Sequence, residues 1–206
     1  MIGYHASHEQ FRPDELLKYV ALAEKAGFTS INSSDHFHPW SERQGQSGFS
    51  FAWLGAAMAT SNLPFGVVCA PGQRYHPTIV AQAAATLAQM FPQRFWMAVG
   101  SGEALNENIT GERWLDKPDR NQRLLECTDI MKRLFNGETV THHGMVTVEG
   151  AKLYTRPQHQ PLLVGAAVTA KTARWMGSWA DGLITVHQPF NDLKKVVEGF
   201  RENGGE

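Results

Sequence analysis

The chain has 206 residues, 42% of them hydrophobic and 19% charged, with a formal net charge of -1. That length can bury a sizeable core and suggests one domain, while the near-neutral balance argues against nucleic acid as a main partner, because phosphate binding wants a basic face. Met1-Ile2-Gly3-Tyr4-His5 has neither a basic nor an apolar leader region, and no apolar run approaches the roughly 18 residues of a membrane span, so neither a signal peptide nor a membrane segment is expected.

Taken in order, Ile2 to Ala6 reads as a first strand, and Pro13 stands where a helix begins. Leu16, Leu17, Val20, Ala21 and Ala23 give that helix an apolar stripe, which Gly27 stops. A second strand, about Thr29 to Ser33, runs into Ser34-Asp35-His36-Phe37-His38-Pro39-Trp40, and a helix follows around Phe51 to Thr60. Phe65 to Ala70 is a buried strand broken by Pro71-Gly72, and Pro77 opens the next helix. Phe95 to Val99 is the fourth strand, and a helix from about Asp119 to Phe135 comes after it. Residues 138–150 alternate like a hairpin beside the main fold. Leu162 to Val164 and Gly182 to Val186 resume as strands five and six, with helices from Ala170 and Asp192.

Strand then helix, six times over, is the α/β pattern with a parallel sheet. A doubly wound sheet would gather its site at one crevice. Here polar and ionisable residues follow five of the six strands, a ring of contributing loops that suits a (β/α)8 TIM-type barrel. Such a barrel needs eight strands, so residues 1–206 are expected to form a single barrel domain cut short after six units, or one that closes unusually. Cys69 and Cys127 have no metal or redox spacing and are expected to be reduced core residues, with a cytoplasmic location as the default.

An acid, two imidazoles and an indole crowd the segment after strand two, which turning alone does not require. His36 and His38 would share a face of an extended segment, one of them a base or cofactor contact oriented by Asp35. The plainer alternative makes Asp35 a cap and both histidines loop residues. Trp40 is a flat wall for a planar ligand or a loop anchor. Glu103, beyond strand four and just past Gly100 and Gly102, which admit a ligand's close approach, suits proton transfer or helix capping. Gly100-Ser101-Gly102 is no dinucleotide fingerprint, since Leu105 stands where the third glycine would be. Arg74 could hold an anion, though such residues more often pair with a local carboxylate, and Glu9 has similar standing. His142-His143 reads as solvated, Trp175 and Trp179 as helix packing. Gly165, Ala166 and Ala167 present bare backbone to the barrel mouth, a cofactor signal.

With these motifs in view the sequence resembles the luciferase-like flavin monooxygenase superfamily, and within it the branch of deazaflavin (F420)-dependent glucose-6-phosphate dehydrogenases. The resemblance is carried by Gly3-Tyr4-His5-Ala6-Ser7, Glu9-Gln10-Phe11, Ser34 to Trp40, Arg74-Tyr75-His76-Pro77 and Gly100 to Glu107. It implies an eight-stranded barrel that lacks strands seven and eight here. It also implies His36 as the active-site histidine, Trp40 as the indole beside the reacting carbon, and Glu103 and Glu9 as acids lining the pocket. Asp35 and Asn106 would contact the cofactor. A non-prolyl cis peptide in strand three often backs the ring in this family, which points to Val68 and Cys69, although strand three is one residue shorter before Pro71.

The resemblance further implies FMN or coenzyme F420 as cofactor and a small organic substrate. His187-Gln188-Pro189 stands where the sugar-phosphate enzymes carry a lysine, so glucose 6-phosphate is not the expected substrate. Two readings compete with an oxidoreductase. One is a metal-dependent barrel hydrolase built on His36, His38 and His187. The other is an idle flavin-binding protein whose open sheet edges pair with a second copy. A homodimer is expected in either flavin case.

Overall fold

Phe65 to Cys69 is apolar or glycine at every position, which a strand covered on both faces requires and a half-exposed one does not. The computed structural model, which describes residues 1–205, places that segment as strand β3 inside a parallel sheet. The chain order is β1 (Gly3–Ala6), α1 (Pro13–Lys25), β2 (Ser30–Ser34), α2 (Ser50–Ala59), β3 (Phe65–Cys69) and α3 (Pro77–Met90). It continues with β4 (Phe95–Val99), the one-turn helix α4 (Ala104–Glu107), a 3-10 turn (Asn108–Thr110) and α5 (Lys117–Phe135). The hairpin β5 (Val140–His143) and β6 (Thr147–Ala151) precedes β7 (Leu162–Ala166), α6 (Ala170–Gly177), β8 (Gly182–Ile184) and α7 (Phe190–Arg201).

The main sheet runs β1-β2-β3-β4-β7-β8, every pair parallel. Six parallel strands in sequence order, each followed by a helix, are the arrangement of a (β/α)8 barrel over six of its eight units. Among the described residues β1 and β8 are each paired on one side only. Both proline-opened helices start where the sequence places them. Glu15 accepts from the Arg12 N–H at 3.1 Å ahead of Pro13, and the His76 ring accepts from the Thr78 N–H ahead of Pro77. Gly27 takes a left-handed backbone just after α1, the conformation that ends a helix most cheaply.

Side-chain parity divides the sheet. Phe65, Val67, Phe95, Met97, Val99 and Leu163 point to the helices and are buried with Leu16, Val80, Ala84, Leu124, Ile130 and Met131 in one apolar core. Residues of the opposite parity, among them Val68, Ala166 and Ile184, face the barrel interior. The hairpin is a separate two-stranded sheet, one residue longer than expected at its end. It docks through buried Val140, Val146 and Val148, with Glu126 of α5 accepting from His142 at 3.0 Å and from the Met145 N–H at 2.7 Å. His142 is therefore tied down, not free in solvent as the sequence suggested. Strand six also ends early, at Ile184, and Thr185 and Val186 become cavity wall. Cys69 and Cys127 are free and buried, and no helix among the described residues is long and apolar enough to cross a membrane.

His8 is 0% exposed, stands edge-on to Trp53 with ring centroids 4.8 Å apart, and has no hydrogen-bond partner at either nitrogen. Burial, against the pull of nearby Glu9, pushes this imidazole down to about 4. An unfolded histidine titrates near 6.5, so the unfolded chain binds this proton first as pH falls. Stability is complete above about 6.5 and is lost by up to one proton's linkage between there and about 4. His8→Leu is expected to lose less stability than the parent over that interval in urea unfolding at pH 7, 5.5 and 4.5. Equal losses would show that His8 is not a source of the acid sensitivity.

Candidate active site

The carboxyl ends of β1 to β4, β7 and β8 surround a cavity of about 580 Å³, within the usual size of a cofactor or small-molecule pocket. His36, Trp40 and Asp35 reach it from the loop after β2, Val68, Cys69 and Ala70 from the end of β3, and Glu103 and Asn106 from the segment after β4. Ala166 and Ala167 close it from β7, and Ile184, Thr185 and Val186 from β8. The two polar segments that the sequence singled out, after the second and fourth strands, thus converge on one space.

His36 is organised by Glu9, not by Asp35 as the sequence suggested. Its Nδ1 lies 2.5 Å from Glu9 Oε1, while Glu9 Oε2 accepts from Ser7 Oγ at 2.7 Å and Ser34 Oγ at 2.9 Å. Burial alone would push the Glu9 carboxyl up. The bonds from His36, Ser34 and Ser7 and from its own backbone outweigh that and hold it at about 2. An ionised Glu9 only accepts, so Nδ1 carries the proton and Nε2 is the ring edge left for the cavity. Glu9, 3% exposed, stands behind His36 and does not line the pocket, which corrects the expectation drawn from the family. Its two oxygens are taken up by Ser7, Ser34 and His36, which leaves no carboxylate oxygen for the cavity.

Trp40 stands edge-on to His36 with ring centroids 5.1 Å apart, is 54% exposed, and forms part of the cavity wall. Glu103 is the N-cap residue of α4 with no side-chain capping bond, so its carboxylate remains free for the cavity. Burial by the surrounding walls raises its pKa, with His36 pulling the other way. His38 does not share a face with His36. The loop bends because Asn106 Oδ1 accepts the N–H groups of both Phe37 (2.8 Å) and His38 (3.0 Å), which sends the His38 ring outward against Phe37. His187 is likewise absent from the cavity wall. The three imidazoles of the hydrolase reading therefore do not meet, and among the described residues no group of three or more His, Cys, Asp or Glu is placed to hold a metal.

Asp35 does line the cavity, but its carboxylate is spent on Arg74 at 3.0 Å and Tyr75 at 3.3 Å. Arg74 takes the plainer of its two sequence readings, an ion pair with local carboxylates. Gly165 faces away from the mouth, since a Cβ there would meet Met176 Sδ at 2.6 Å. In a strand a one-residue step changes face, so Ala166 is the residue that looks inward. Among the described residues no peptide bond is cis, so Val68 and Cys69 form the floor as ordinary trans backbone. Glu107, 2% exposed, and Lys117, whose Nζ donates to Ser101 Oγ at 2.6 Å, were missed. An acid four residues after Glu103 with an unassigned arginine upstream was the available signal for Glu107.

A planar ring would meet a floor of small side chains and bare backbone here. A Cβ built on Gly100 meets only the Ala166 methyl, at 3.6 Å, so this shelf is open to close approach. Asn106 Nδ2 is buried without a partner beside that shelf, a donor still to be satisfied. These features fit a flavin-like tricycle.

The family model for luciferase-like monooxygenases matches residues 2–206. The chain is 44% identical over 187 residues to an F420-dependent glucose-6-phosphate dehydrogenase of Microbacterium testaceum, covering 89% of this chain and 55% of that one. It is 37% identical over 201 residues to the F420-dependent hydroxymycolic acid dehydrogenase of Mycobacterium tuberculosis, covering 95% and 55%. Among solved structures, an F420-dependent secondary alcohol dehydrogenase in complex with an F420-acetone adduct superposes with a TM-score of 0.92 at 39% identity. That match covers all of this chain and 65% of the other. The chain spans about half the length of the curated relatives it matches.

Proposed function

The chain belongs to the luciferase-like monooxygenase family, and from that membership we propose that it carries the reaction centre of an F420-dependent oxidoreductase acting on a small, unphosphorylated alcohol or the corresponding ketone. The observation that carries the reading is His36, held through Nδ1 by an anionic, buried Glu9 while its other ring edge borders a cavity shared with Glu103. F420 is favoured over FMN because the relatives at 37% and 44% identity, and the solved structure at 39%, are named F420-dependent.

When bound, the deazaflavin ring supplies the acceptor or donor of a hydride. His36 Nε2 takes the proton of the substrate hydroxyl, and the Glu9 carboxylate stabilises the imidazolium that forms. Glu103, its proton affinity raised by burial, holds the compensating proton at a carboxyl oxygen on the other side of the cavity. Trp40 covers the reacting edge and excludes water. Asn106 Nδ2, Val68, Cys69, Ala166 and Ala167 would hold the ring. A phosphorylated substrate is disfavoured at the β8 end of the wall, which offers Ile184, Thr185 and Val186 without a cation, and Lys117 on the opposite part of the lining already donates to Ser101 Oγ.

Titration of the purified chain with F420 and, separately, with FMN tests the reading by absorption and fluorescence. Saturable binding of F420 is expected, with FMN binding at least about tenfold weaker, the factor that a 1.4 kcal/mol difference gives. Preferential binding of FMN would move the reading to an ordinary flavin enzyme, and binding of neither would overturn it.

A further inference from the structure

Arg74 lies in the loop after β3, its side chain 6% exposed, and it does not line the cavity. Its Nη2 donates to the Asp35 carbonyl at 2.7 Å and to Asp35 Oδ2 at 3.0 Å. Nη1 donates to the Tyr75 hydroxyl at 3.1 Å, which in turn donates to Asp35 Oδ1 at 3.3 Å. On the other side the Arg74 backbone N–H donates to Glu107 Oε2 at 2.9 Å, and Nε stands 3.6 Å from Glu107 Oε1. One guanidinium thus fills the gap between two carboxylates whose side chains are 1% and 2% exposed. Losing it would leave both charges buried and uncompensated.

What these bonds hold is more telling than their number. The Asp35 carbonyl belongs to the peptide that leads into His36. The next carbonyl, that of His36, accepts from Ser47 Oγ at 2.6 Å, and the next two N–H groups donate to Asn106. Asn106 and Glu107 are neighbours on α4, and Glu103 is the N-cap of that same turn. Glu107 is wedged there, since its Cγ lies 2.8 Å from where a Cβ on Gly102 would be. Arg74 therefore grips both the backbone that carries His36 and the turn that carries Glu103.

We propose that Arg74 is a positioning residue, which sets His36 on Glu9 and holds it in register with Glu103 across the cavity. The inference rests on reading His36 and Glu103 as the acid–base pair. Only a fork serves here, because two of the bonds diverge from one nitrogen to a carbonyl and a carboxylate while a second nitrogen reaches the tyrosine. A lysine keeps the charge and loses that geometry.

The test needs neither cofactor nor substrate. A histidine N–H on a buried carboxylate gives a downfield, slowly exchanging proton signal in NMR spectra, and its loss in His36→Gln assigns it. In Arg74→Lys, exchange of the His36 Nδ1 proton is expected to quicken at least about tenfold, because the fork is gone while the charge remains. Arg94→Lys is the control. Arg94 makes a comparable set of bonds to the carbonyls of Met58, Ser61 and Leu63, remote from the His36 loop. Its replacement should lower the unfolding temperature yet leave the His36 proton within about twofold of the parent, since sites with no shared partner add independently. An unchanged His36 signal in Arg74→Lys, or an equal acceleration in Arg94→Lys, overturns the proposal. Should Arg74→Lys not fold, Tyr75→Phe decides. It removes one hydroxyl from the knot without stranding a charge, and exchange at least about threefold faster is expected from a lost buried hydrogen bond. No change in that variant would likewise overturn it. A failed cofactor titration leaves this outcome untouched, so the two readings fall separately.

Discussion

In the proposed reaction, F420-linked oxidation of a small alcohol, His36→Ala should lower the rate by roughly 10²-fold or more, the usual worth of a positioned general base. The expectation follows from the chain of partners behind the ring. Ser7 and Ser34 hold Glu9, Glu9 holds Nδ1, and Nε2 alone is left for the substrate hydroxyl. The loss should fall on kcat and kcat/KM together, because the interaction forms only as the hydroxyl proton moves. Glu9→Gln separates charge from shape. It keeps a bonding partner for His36 but cannot stabilise an imidazolium, so it should also be slow. The same variant carries a pH signature. The Glu9 carboxyl is held at about 2, below its ordinary value, so its stabilising effect is present above about 4.5 and drains away as pH falls toward 2. Glu9→Gln should lack that portion of the acid slope. Rates within about twofold of the parent in His36→Ala would remove the imidazole from proton transfer.

How much of this was legible beforehand depended on distance along the chain. Helices α1 and α3 announced themselves through Pro13, Pro77 and stripes at helical spacing, and β3 and β4 through unbroken apolar runs. Convergence of His36, Trp40 and Glu103 was legible too, because parallel strands in a barrel deliver their carboxyl ends to one rim. The choice of orienting acid was not. Asp35 is adjacent to His36 and was the natural candidate, yet Glu9, 27 residues upstream, won because β1 and β2 are paired neighbours. Arg74 had meanwhile claimed Asp35. Gly165 failed for a different reason. Bare backbone is useful only on the inward face, and parity along β7 is invisible without the register Val99↔Gly165. Helix α4 has four residues, too few for any periodicity, although it sets both Glu103 and Asn106.

The parity argument also locates the most sensitive glycine in the sheet. Gly66 and Val68 have the same parity on β3, so Gly66 faces the barrel interior beneath the cavity floor. Its partner in register is Trp96 on β4, whose ring lies across the bare Gly66 backbone. A Cβ on Gly66 would fall 2.1 Å from Trp96 Cζ2, 2.2 Å from Cε2 and 2.5 Å from Cη2. An indole held between strands cannot yield by bending, as the tip of a lysine could. Either the ring leaves its rotamer or the strands part, and overpacking of this kind costs at the upper end of its range, about 3 kcal/mol. Gly66→Ala is therefore expected to lower the unfolding temperature by roughly 6–12 °C for a chain of this length. If the clash is the cause, Trp96→Leu in the same chain should return part of the loss, a coupling that a double-mutant cycle measures. A drop in Gly66→Ala of about 1 °C or less would mean that the indole has room to move. The floor on which the proposed ring rests would then be softer than this packing implies, and cofactor affinity in Gly66→Ala should follow whichever answer the melt gives.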